Sequence, residues 1–233
     1  MNTTLNLKTA AIEKEIHLDF FNIAVSVDCV IFGYEDKQLK VLLIKSDLEE
    51  FEGLSSLLGD MVRPTESIED APYRVLEDRT GFRDIFLQQV QTFGSVNRHP
   101  SGRVITTAYF SLVNIKSHTV QLAKNELHWQ AVNDIKKLAF DHKLILDTCV
   151  AMLQDQIMEQ PIIFNLLPKK FSLRELQDLY EAILNVQLDR RNFRKRIMLK
   201  NWLEDLSEIE IDVPHRPGKL YKFKKHSKKV LQD

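Results

Sequence analysis

Apolar positions alternate with small or polar ones from Ile23 to Val27, and an apolar run continues as far as Phe32. A polar turn over 33–37 separates this stretch from a second apolar segment over 39–44. Alternation with a period of two, broken by a turn, predicts two strands joined in a hairpin. Asp28 interrupts the first strand, so its carboxylate either pairs with an internal donor or points into a cleft.

Helical and strand patterns alternate further along the chain. Apolar residues at helical spacing predict a helix over 67–79, which Gly81 ends and whose first turn Pro72 leaves open. Strands are predicted over 90–96 and 103–113, and a longer helix over 142–158. Because strands and helices interleave, the residues up to 158 are expected to form an α/β or α+β domain.

The pattern changes after Pro161. Ser172 can cap a helix that runs to Leu184, and Asp189 can cap another that runs to Lys200. Strands are then predicted over 203–213 and 220–223, with a turn over 214–218 between them. Helix, turn, helix and β-wing in this order are typical of a winged helix-turn-helix that binds DNA.

The net charge of −1 conceals two oppositely charged parts. Residues 161–233 carry 16 Lys and Arg against 10 Asp and Glu, whereas the preceding residues carry 16 against 23. A basic C-terminal part is attracted to a polyanion such as DNA, and an acidic N-terminal part is repelled by one.

The composition, with 44% hydrophobic and 28% charged residues, is that of a folded globular protein. No apolar run is long enough to span a bilayer and no signal-peptide core is visible, so we expect a cytoplasmic protein without membrane contact. Cys29 and Cys149 lie in apolar segments without partners at ligand spacing, which indicates buried thiols. Residues 1–17 are interpreted as an N-terminal arm.

The segment that follows Leu58 resembles the Nudix box in its frame but not in its chemistry. Its matches to the glutamate, arginine, aliphatic and glycine positions of that box are Glu66, Arg74, Leu76, Gly81 and Phe82. The first glycine of the box falls on Asp60, although Gly59 precedes it. The helix glutamates of the box fall on Val75, Asp78 and Arg79.

This loss of carboxylates argues against catalysis. Diphosphate cleavage by a Nudix enzyme requires hard divalent cations, which clustered carboxylates hold. Val75 cannot bind a metal ion, and the fixed charge of Arg79 repels one. We therefore expect no catalytic residues, no metal and no cofactor. A hydrolase with a displaced metal site remains an alternative, with Glu66, Glu69, Glu77 and Asp78 as its ligands.

A longer resemblance covers about residues 20–225. The runs that are similar to the Nudix-related transcriptional regulator family are 98–103, 138–142, 164–168, 171–184 and 188–195. This resemblance implies an α+β protein in which a Nudix-like α/β/α sandwich is followed by a winged helix-turn-helix. The effector domain is expected over 18–158 and the DNA-binding domain over 159–233. A homodimer on a palindromic double-stranded DNA operator is implied as well.

Members of that family respond to ADP-ribose in NAD metabolism or to sugars, with arabinose among the known effectors. Because the box has departed from the diphosphate-binding pattern, a sugar such as L-arabinose is the favoured effector of a repressor of carbohydrate metabolism, and ADP-ribose is the alternative. Candidate ligand-binding residues near the expected cleft are Asp28, Lys45, Asp60, Arg63, Glu77, Arg98, Arg103 and Trp129.

DNA contacts are expected from the second helix of the basic part and from its wing. Phe193, Ile197 and Leu199 are expected to face inward. Arg190, Arg191 and Asn192 are the candidates for reading base edges in the major groove. Cations expected on phosphates or in the minor groove are Arg194, Lys195, Arg196, Lys200, Arg216, Lys219 and Lys222. A winged domain that binds another protein is the remaining alternative, and it would bind with little dependence on salt.

Overall fold

A computed structural model describes residues 22–83, 85–116, 127–214 and 216–224. The predicted N-terminal arm over 1–17 lies outside the described residues. Within them the chain forms a mixed β-sheet with helices, followed by a winged helix domain. No helix in these ranges is both long enough and apolar enough to cross a membrane.

The sheet of the first domain is organised around its first strand. Its strands are β1 (Ala24–Glu35), β2 (Gln38–Lys45), β3 (Ser55–Ser56), β4 (Leu58–Met61), β5 (Gln88–Phe93), β6 (Val104–Val113) and β7 (Leu127–Ala131). β1 pairs in parallel with β6 and antiparallel with both β2 and β4. The predicted hairpin is confirmed as β1 and β2, whereas β3, β4 and β7 were not predicted.

Helices cover the sheet on opposite faces. α1 (Ala71–Thr80) packs beside Val27 of β1, and α2 (His142–Ile157) packs beside Val30. Since successive strand residues point to opposite faces, α1 and α2 lie on different sides of β1. Cys29 and Cys149 are both buried, as expected, and burial raises the pKa of the Cys149 thiol to about 12.

The first helix begins later than predicted. Residues 67–70 form a turn in which the Ser67 hydroxyl donates to the Asp70 carboxylate at 2.7 Å and accepts from the Asp70 N–H at 3.1 Å. Pro72 then occupies the first helical turn, where its missing N–H costs nothing. Gly81 ends the helix with a φ of 74°, a left-handed conformation that glycine adopts without strain.

The winged domain follows the predicted order of elements. It contains β8 (Phe171–Ser172), α3 (Leu173–Leu184), α4 (Arg190–Leu199), β9 (Leu203–Ile209) and β10 (Lys219–Phe223). Ser172 and Glu175 form a capping box at the start of α3, and the Asp189 carboxylate accepts from the Asn192 N–H at the start of α4. β10 lies between β8 and β9, so the wing is anchored to the chain entering α3.

A single apolar cluster continues from the sheet through α2 into the winged domain. It includes Phe32 of β1, Leu153 of α2 and Leu176 of α3. Polar contacts reinforce this junction, since Gln154 Nε2 donates to the Ile183 carbonyl at 2.8 Å and Lys37 Nζ lies 3.0 Å from Asp178 Oδ2. The two domains therefore share one hydrophobic core.

Candidate functional site

A cavity of about 520 Å³ opens beside β1, β4 and the start of α2. Its size falls in the range of small-molecule sites. The polar and aromatic side chains in its lining are Ser26, Asp28, Lys45, Ser46, Asp47, Ser56, Asp60, Arg79, Arg98, His99, Phe140 and His142. The lining thus draws residues from both sides of the sheet, with Arg79 from α1 and Phe140 from the entry to α2.

A buried ion-pair network forms the floor of the cavity. The Arg98 side chain is only 3% exposed, and its Nη2 lies 3.3 Å from Asp28 Oδ2. The same guanidinium donates two hydrogen bonds to the Asp141 carboxylate, from Nε at 2.9 Å and from Nη2 at 2.7 Å. Burial alone would raise the pKa of Asp28, but His142 and Arg98 outweigh it and hold that pKa below its ordinary value. Asp28 pairs with an internal donor and also lines the cavity, so both alternatives that the sequence left open for it are realised.

His142 connects this network to β3 and β4. Its Nδ1 accepts a hydrogen bond from the Leu57 N–H at 3.0 Å, which assigns the ring proton to Nε2. That Nε2 faces Asp28 Oδ1 at 3.4 Å. β4 passes so close that a Cβ at position 59 would collide with the Asp28 carboxylate, so Gly59 is required there. The first residues of α2 are thus locked to the sheet inside the cavity.

Aromatic rings form a second part of the lining. Phe140 stacks on His99 with centroids 5.0 Å apart and an interplanar angle of 20°, and it packs against Phe51 at 4.5 Å. Phe140 has a φ of 52°, which is unusual for a non-glycine residue and costs conformational energy. Burial, followed by the neighbouring charge of Arg98, lowers the pKa of His99. These flat apolar surfaces suit a planar ring of a ligand.

Charged side chains form the outer part. Lys45 and Arg79 are exposed, and neither forms an ion pair with another described residue. Of the acidic residues there, Asp60 is 2.9 Å from Arg74 Nη1, whereas Asp47 makes no ion pair within the described ranges. The outer part therefore offers two cations and one carboxylate to a ligand.

The Nudix box keeps its loop architecture. Arg74 binds Glu66 at two points, each at 2.7 Å, and Arg63 donates its N–H to the same carboxylate at 2.9 Å. Hydrogen bonds from Arg74, then from the Arg63 N–H, lower the pKa of Glu66 to about 2. The carboxylate of Glu66 is thus engaged in the hydrogen bonds that hold the loop closed.

The residues do not fit the metal of a Nudix hydrolase. Val75 is 1% exposed and packs in an apolar cluster, Asp78 lies 3.7 Å from both Arg63 and Arg74, and Arg79 adds a positive charge. In the described ranges, no group of His, Cys, Asp or Glu is arranged to hold a metal ion. The proposed displaced site on Glu66, Glu69, Glu77 and Asp78 is not assembled, since Glu66 is bound to Arg74 and Glu77 pairs with Arg83.

The predicted ligand residues divide into two groups. Asp28, Lys45, Asp60 and Arg98 line the cavity. The others do not line it: Arg63 pairs with Asp78, Glu77 pairs with Arg83, Arg103 donates to the carbonyls of Gly94 and Ser95, and Trp129 packs beside Ile44 and against Gly33. Whether each of these residues lines the cavity depends on contacts between distant parts of the chain, which residue type alone could not predict.

Several residues in or beside the cavity lining were not among the candidate ligand-binding residues. They are Asp47, Phe51, Arg79, His99, Phe140, Asp141 and His142, of which Phe51 and Asp141 contact the lining rather than form it. A signal was present for some of them, because the run 138–142 resembles the regulator family and His99 follows Arg98 in another such run.

A second, basic concavity lies between α3, α4 and the wing. Its charged lining residues are Arg174, Arg190, Arg194, Glu210, Arg216 and Lys219. Glu210 accepts from the Gly218 N–H at 2.7 Å and closes the wing turn, so the remaining charges are all positive. Arg174 was not predicted, because it lies on the helix before the one expected to read DNA.

The exposed face of α4 carries most of the predicted DNA contacts. Phe193 and Ile197 are buried as predicted, but Leu199 is 75% exposed because it follows Ile197 by two residues and so lies on the opposite side of the helix. Exposed predicted residues on this helix are Arg190, Arg191, Asn192, Arg194, Lys195 and Arg196. Other predicted cations are paired with carboxylates: Lys200 with Glu159 at 2.9 Å, Lys219 with Asp205 at 2.9 Å and Lys222 with Glu204 at 3.0 Å.

Family models match both parts of the chain. A model described as NUDIX domain matches residues 22–149, and one described as NrtR DNA-binding winged helix domain matches residues 163–223. The "ADPR responsive transcriptional repressor NtrR" of Acinetobacter baylyi is 30% identical over 210 residues, which cover 88% of this chain and 84% of that protein. The ADP-ribose pyrophosphatase of Methanocaldococcus jannaschii is 32% identical over 124 residues, covering 53% of this chain and 70% of the enzyme.

Solved structures agree with these matches. Shewanella oneidensis NrtR in complex with a 27mer DNA superimposes with a TM-score of 0.77 at 28% identity, covering 87% of this chain and 94% of that one. The NUDIX domain of the same protein in complex with ADP ribose gives a TM-score of 0.50 at 30% identity, covering 55% of this chain and 87% of that domain.

Fold, basic concavity and similarity together define the class as a Nudix domain followed by a DNA-binding winged helix domain. The chain belongs to the NrtR family of Nudix-related transcription regulators. The resemblance stated from the sequence, and the fold class that it implied, are confirmed.

Proposed function

We propose that this chain is a cytoplasmic transcription repressor whose Nudix cavity binds ADP-ribose without hydrolysing it. The effector then weakens the binding of a homodimer to a palindromic operator. The relatives support ADP-ribose, because one is named as responsive to it and another has a Nudix domain solved with it. They give no support to L-arabinose, which the sequence had favoured.

The observation that carries this proposal is the combination of aromatic and cationic groups in one cavity of about 520 Å³. Phe140 and His99 offer stacked rings for a planar base, and Lys45 and Arg79 offer charges for phosphates. A free pentose has neither a base nor a phosphate, and it would leave most of this volume unfilled.

The same cavity explains binding without turnover. A Nudix hydrolase needs carboxylates on its helix to hold divalent cations, and here Val75 and Arg79 stand at two of those positions. Without a bound metal, no water is activated at the diphosphate. We therefore infer a sensor rather than an enzyme, although a protein named as an ADP-ribose pyrophosphatase is similar to 53% of this chain.

A structural connection links the cavity to the DNA-binding domain. α2 starts at His142 in the cavity and ends at Ile157, whose carbonyl accepts from Tyr180 of α3. An effector that prefers one position of α2 therefore shifts the winged domain with it, and DNA shifts effector affinity reciprocally. In a dimer, such a shift changes the spacing of the two copies of α4, the recognition helices that are expected to read the operator.

The test combines three measurements on the full-length protein. An operator is first selected from random duplex DNA, and its binding is followed by fluorescence anisotropy with ADP-ribose or L-arabinose. ADP-ribose is expected to raise the melting temperature, by the equivalent of about 2.7 kcal/mol at a hundredfold excess over Kd, and to release the DNA. Chromatography of the nucleotide checks for hydrolysis, and light scattering checks for a dimer. Release by arabinose alone, or Mg²⁺-dependent loss of ADP-ribose, would overturn the proposal.

A further inference from the structure

Arg79 has a position that neither packing nor an ion pair with a described residue explains. It lies in the last turn of α1, is exposed, and lines the cavity next to β4. In the frame of the Nudix box it occupies a position where the hydrolases carry a glutamate. Its neighbours on the helix do not recreate the lost carboxylate, because Asp78 lies 3.7 Å from both Arg63 and Arg74.

Lys45, which forms no ion pair with a described residue, adds a second cation to the same cavity. It ends β2, is exposed and lies in the lining. The third cation there, Arg98, is occupied by Asp28 and Asp141 and has little free charge to offer. Positive charge available to a ligand is thus concentrated on Arg79 and Lys45.

We propose that Arg79 and Lys45 form an anion site that binds the diphosphate of the effector and replaces the divalent cations of the hydrolases. This inference rests on the proposed function for the identity of the effector but not for the chemistry of the site. A guanidinium binds phosphate oxygens at two points, and it carries its charge permanently. It has no exchangeable water to activate, so the charge is neutralised without hydrolysis.

The acidic residues of the lining are compatible with this site. Asp28 and Asp60 each pair with an arginine that they share with other carboxylates, Arg98 at 3.3 Å and Arg74 at 2.9 Å. Asp47 is a carboxylate without an ion-pair partner in the described ranges. It can accept hydrogen bonds from donor groups of a ligand but cannot bind an anion. Ribose hydroxyl groups supply such donors, and a nucleoside diphosphate linked to a sugar contains both kinds of group.

The site predicts binding that does not depend on metal. Isothermal titration calorimetry of the full-length protein with ADP-ribose is run once in EDTA and once in Mg²⁺, and the Kd is expected to be the same. Arg79→Gln and Lys45→Gln are each expected to weaken binding, by about tenfold or more for Arg79→Gln. Arg83→Gln is the matched control, since Arg83 follows the same helix but pairs with Glu77 outside the cavity.

Inorganic pyrophosphate and adenosine separate this inference from the proposed function. Pyrophosphate binding is expected to be lost in Arg79→Gln, and adenosine binding is expected to be unchanged. If the wild-type protein binds pyrophosphate through Arg79 but not ADP-ribose, the proposed function fails and the anion site stands. Any of three results would overturn the anion site. They are ADP-ribose binding only in the presence of Mg²⁺, equal ADP-ribose affinity in both variants and the wild type, and binding of neither pyrophosphate nor adenosine.

Discussion

The Tyr180 hydroxyl donates a hydrogen bond to the Ile157 carbonyl across 2.9 Å, joining the first helix of the winged domain to the end of α2. A carbonyl in the last turn of a helix has no partner within that helix, so the tyrosine satisfies a group that would otherwise be buried and unpaired. Tyr180 itself is 1% exposed. The contact is therefore part of the junction between the domains.

Tyr180→Phe should lower the free energy of unfolding by about 1–3 kcal/mol, because the phenyl ring still fits while the Ile157 carbonyl loses its donor. Urea denaturation followed by circular dichroism measures the change. Tyr73→Phe is the control, since Tyr73 is 47% exposed, and it should shift the free energy by less than about 0.5 kcal/mol. Equal midpoints for Tyr180→Phe and wild type would contradict this role of the hydroxyl.

Local signals made much of the fold predictable. Ser172 and Asp189 cap the two winged-domain helices as expected, because capping depends on residues three positions apart. The alternation before Phe32 identified the first strand for a similar reason. Short strands such as β4 were missed, since their partners lie far away in the chain and four residues give little periodicity.

The site was less predictable than the fold. Arg98 is 70 residues from Asp28 and 43 from Asp141, so no local pattern reveals that it pairs with both of these carboxylates. Arg79 was recognised from the box as a residue that repels metal. That it faces a cavity became visible only when β4 and α1 were placed together.

Arg98→Met is expected to destabilise the protein by about 3–5 kcal/mol, because it leaves the buried Asp28 carboxylate without its cation. Urea denaturation is again the measurement. Adding Asp28→Asn to this variant removes the unpaired charge and should recover part of the loss, which a double-mutant cycle quantifies. Arg83→Met, at an exposed ion pair, is the control and should change stability little. Strictly additive effects of the two cavity substitutions would show that the residues do not interact.

Phe140→Asn separates backbone strain from ring stacking. Asparagine tolerates the left-handed conformation that Phe140 adopts at a φ of 52°, so relief of strain offsets part of the lost packing. Binding of ADP-ribose should nevertheless weaken by about 1–3 kcal/mol, the typical contribution of a base stacked on an aromatic ring. Calorimetry measures this, with Phe164→Leu, which lies outside the cavity, as the control. Unchanged affinity in Phe140→Asn would remove the ring from the binding site.

Glu66→Gln should make the protein less sensitive to acid. The pKa of Glu66 is lowered to about 2 in the folded state from an ordinary value of 4.5, so its ionised form stabilises the fold fully above pH 4.5. That stabilisation is lost as the pH falls toward 2. The difference in melting temperature between wild type and Glu66→Gln should therefore shrink over this interval, as measured by calorimetry at a series of pH values. A constant difference across the interval would mean that the ionised form of Glu66 does not stabilise the fold through its hydrogen bonds with Arg74.

Arg194→Ala and Lys200→Ala test which cations of the recognition helix meet DNA. Arg194 lines the basic concavity and makes no ion pair with a described residue, whereas Lys200 pairs with Glu159 at 2.9 Å and lies over the Trp202 ring at 5.5 Å. A lost phosphate contact weakens binding for all sequences and reduces the salt slope by about one unit. We expect this for Arg194→Ala, and nearly unchanged binding for Lys200→Ala. Anisotropy titrations of the selected operator over a series of salt concentrations measure both slopes. A larger effect at Lys200 than at Arg194 would show that DNA breaks the pair with Glu159 and that the bound helix ends in a different arrangement.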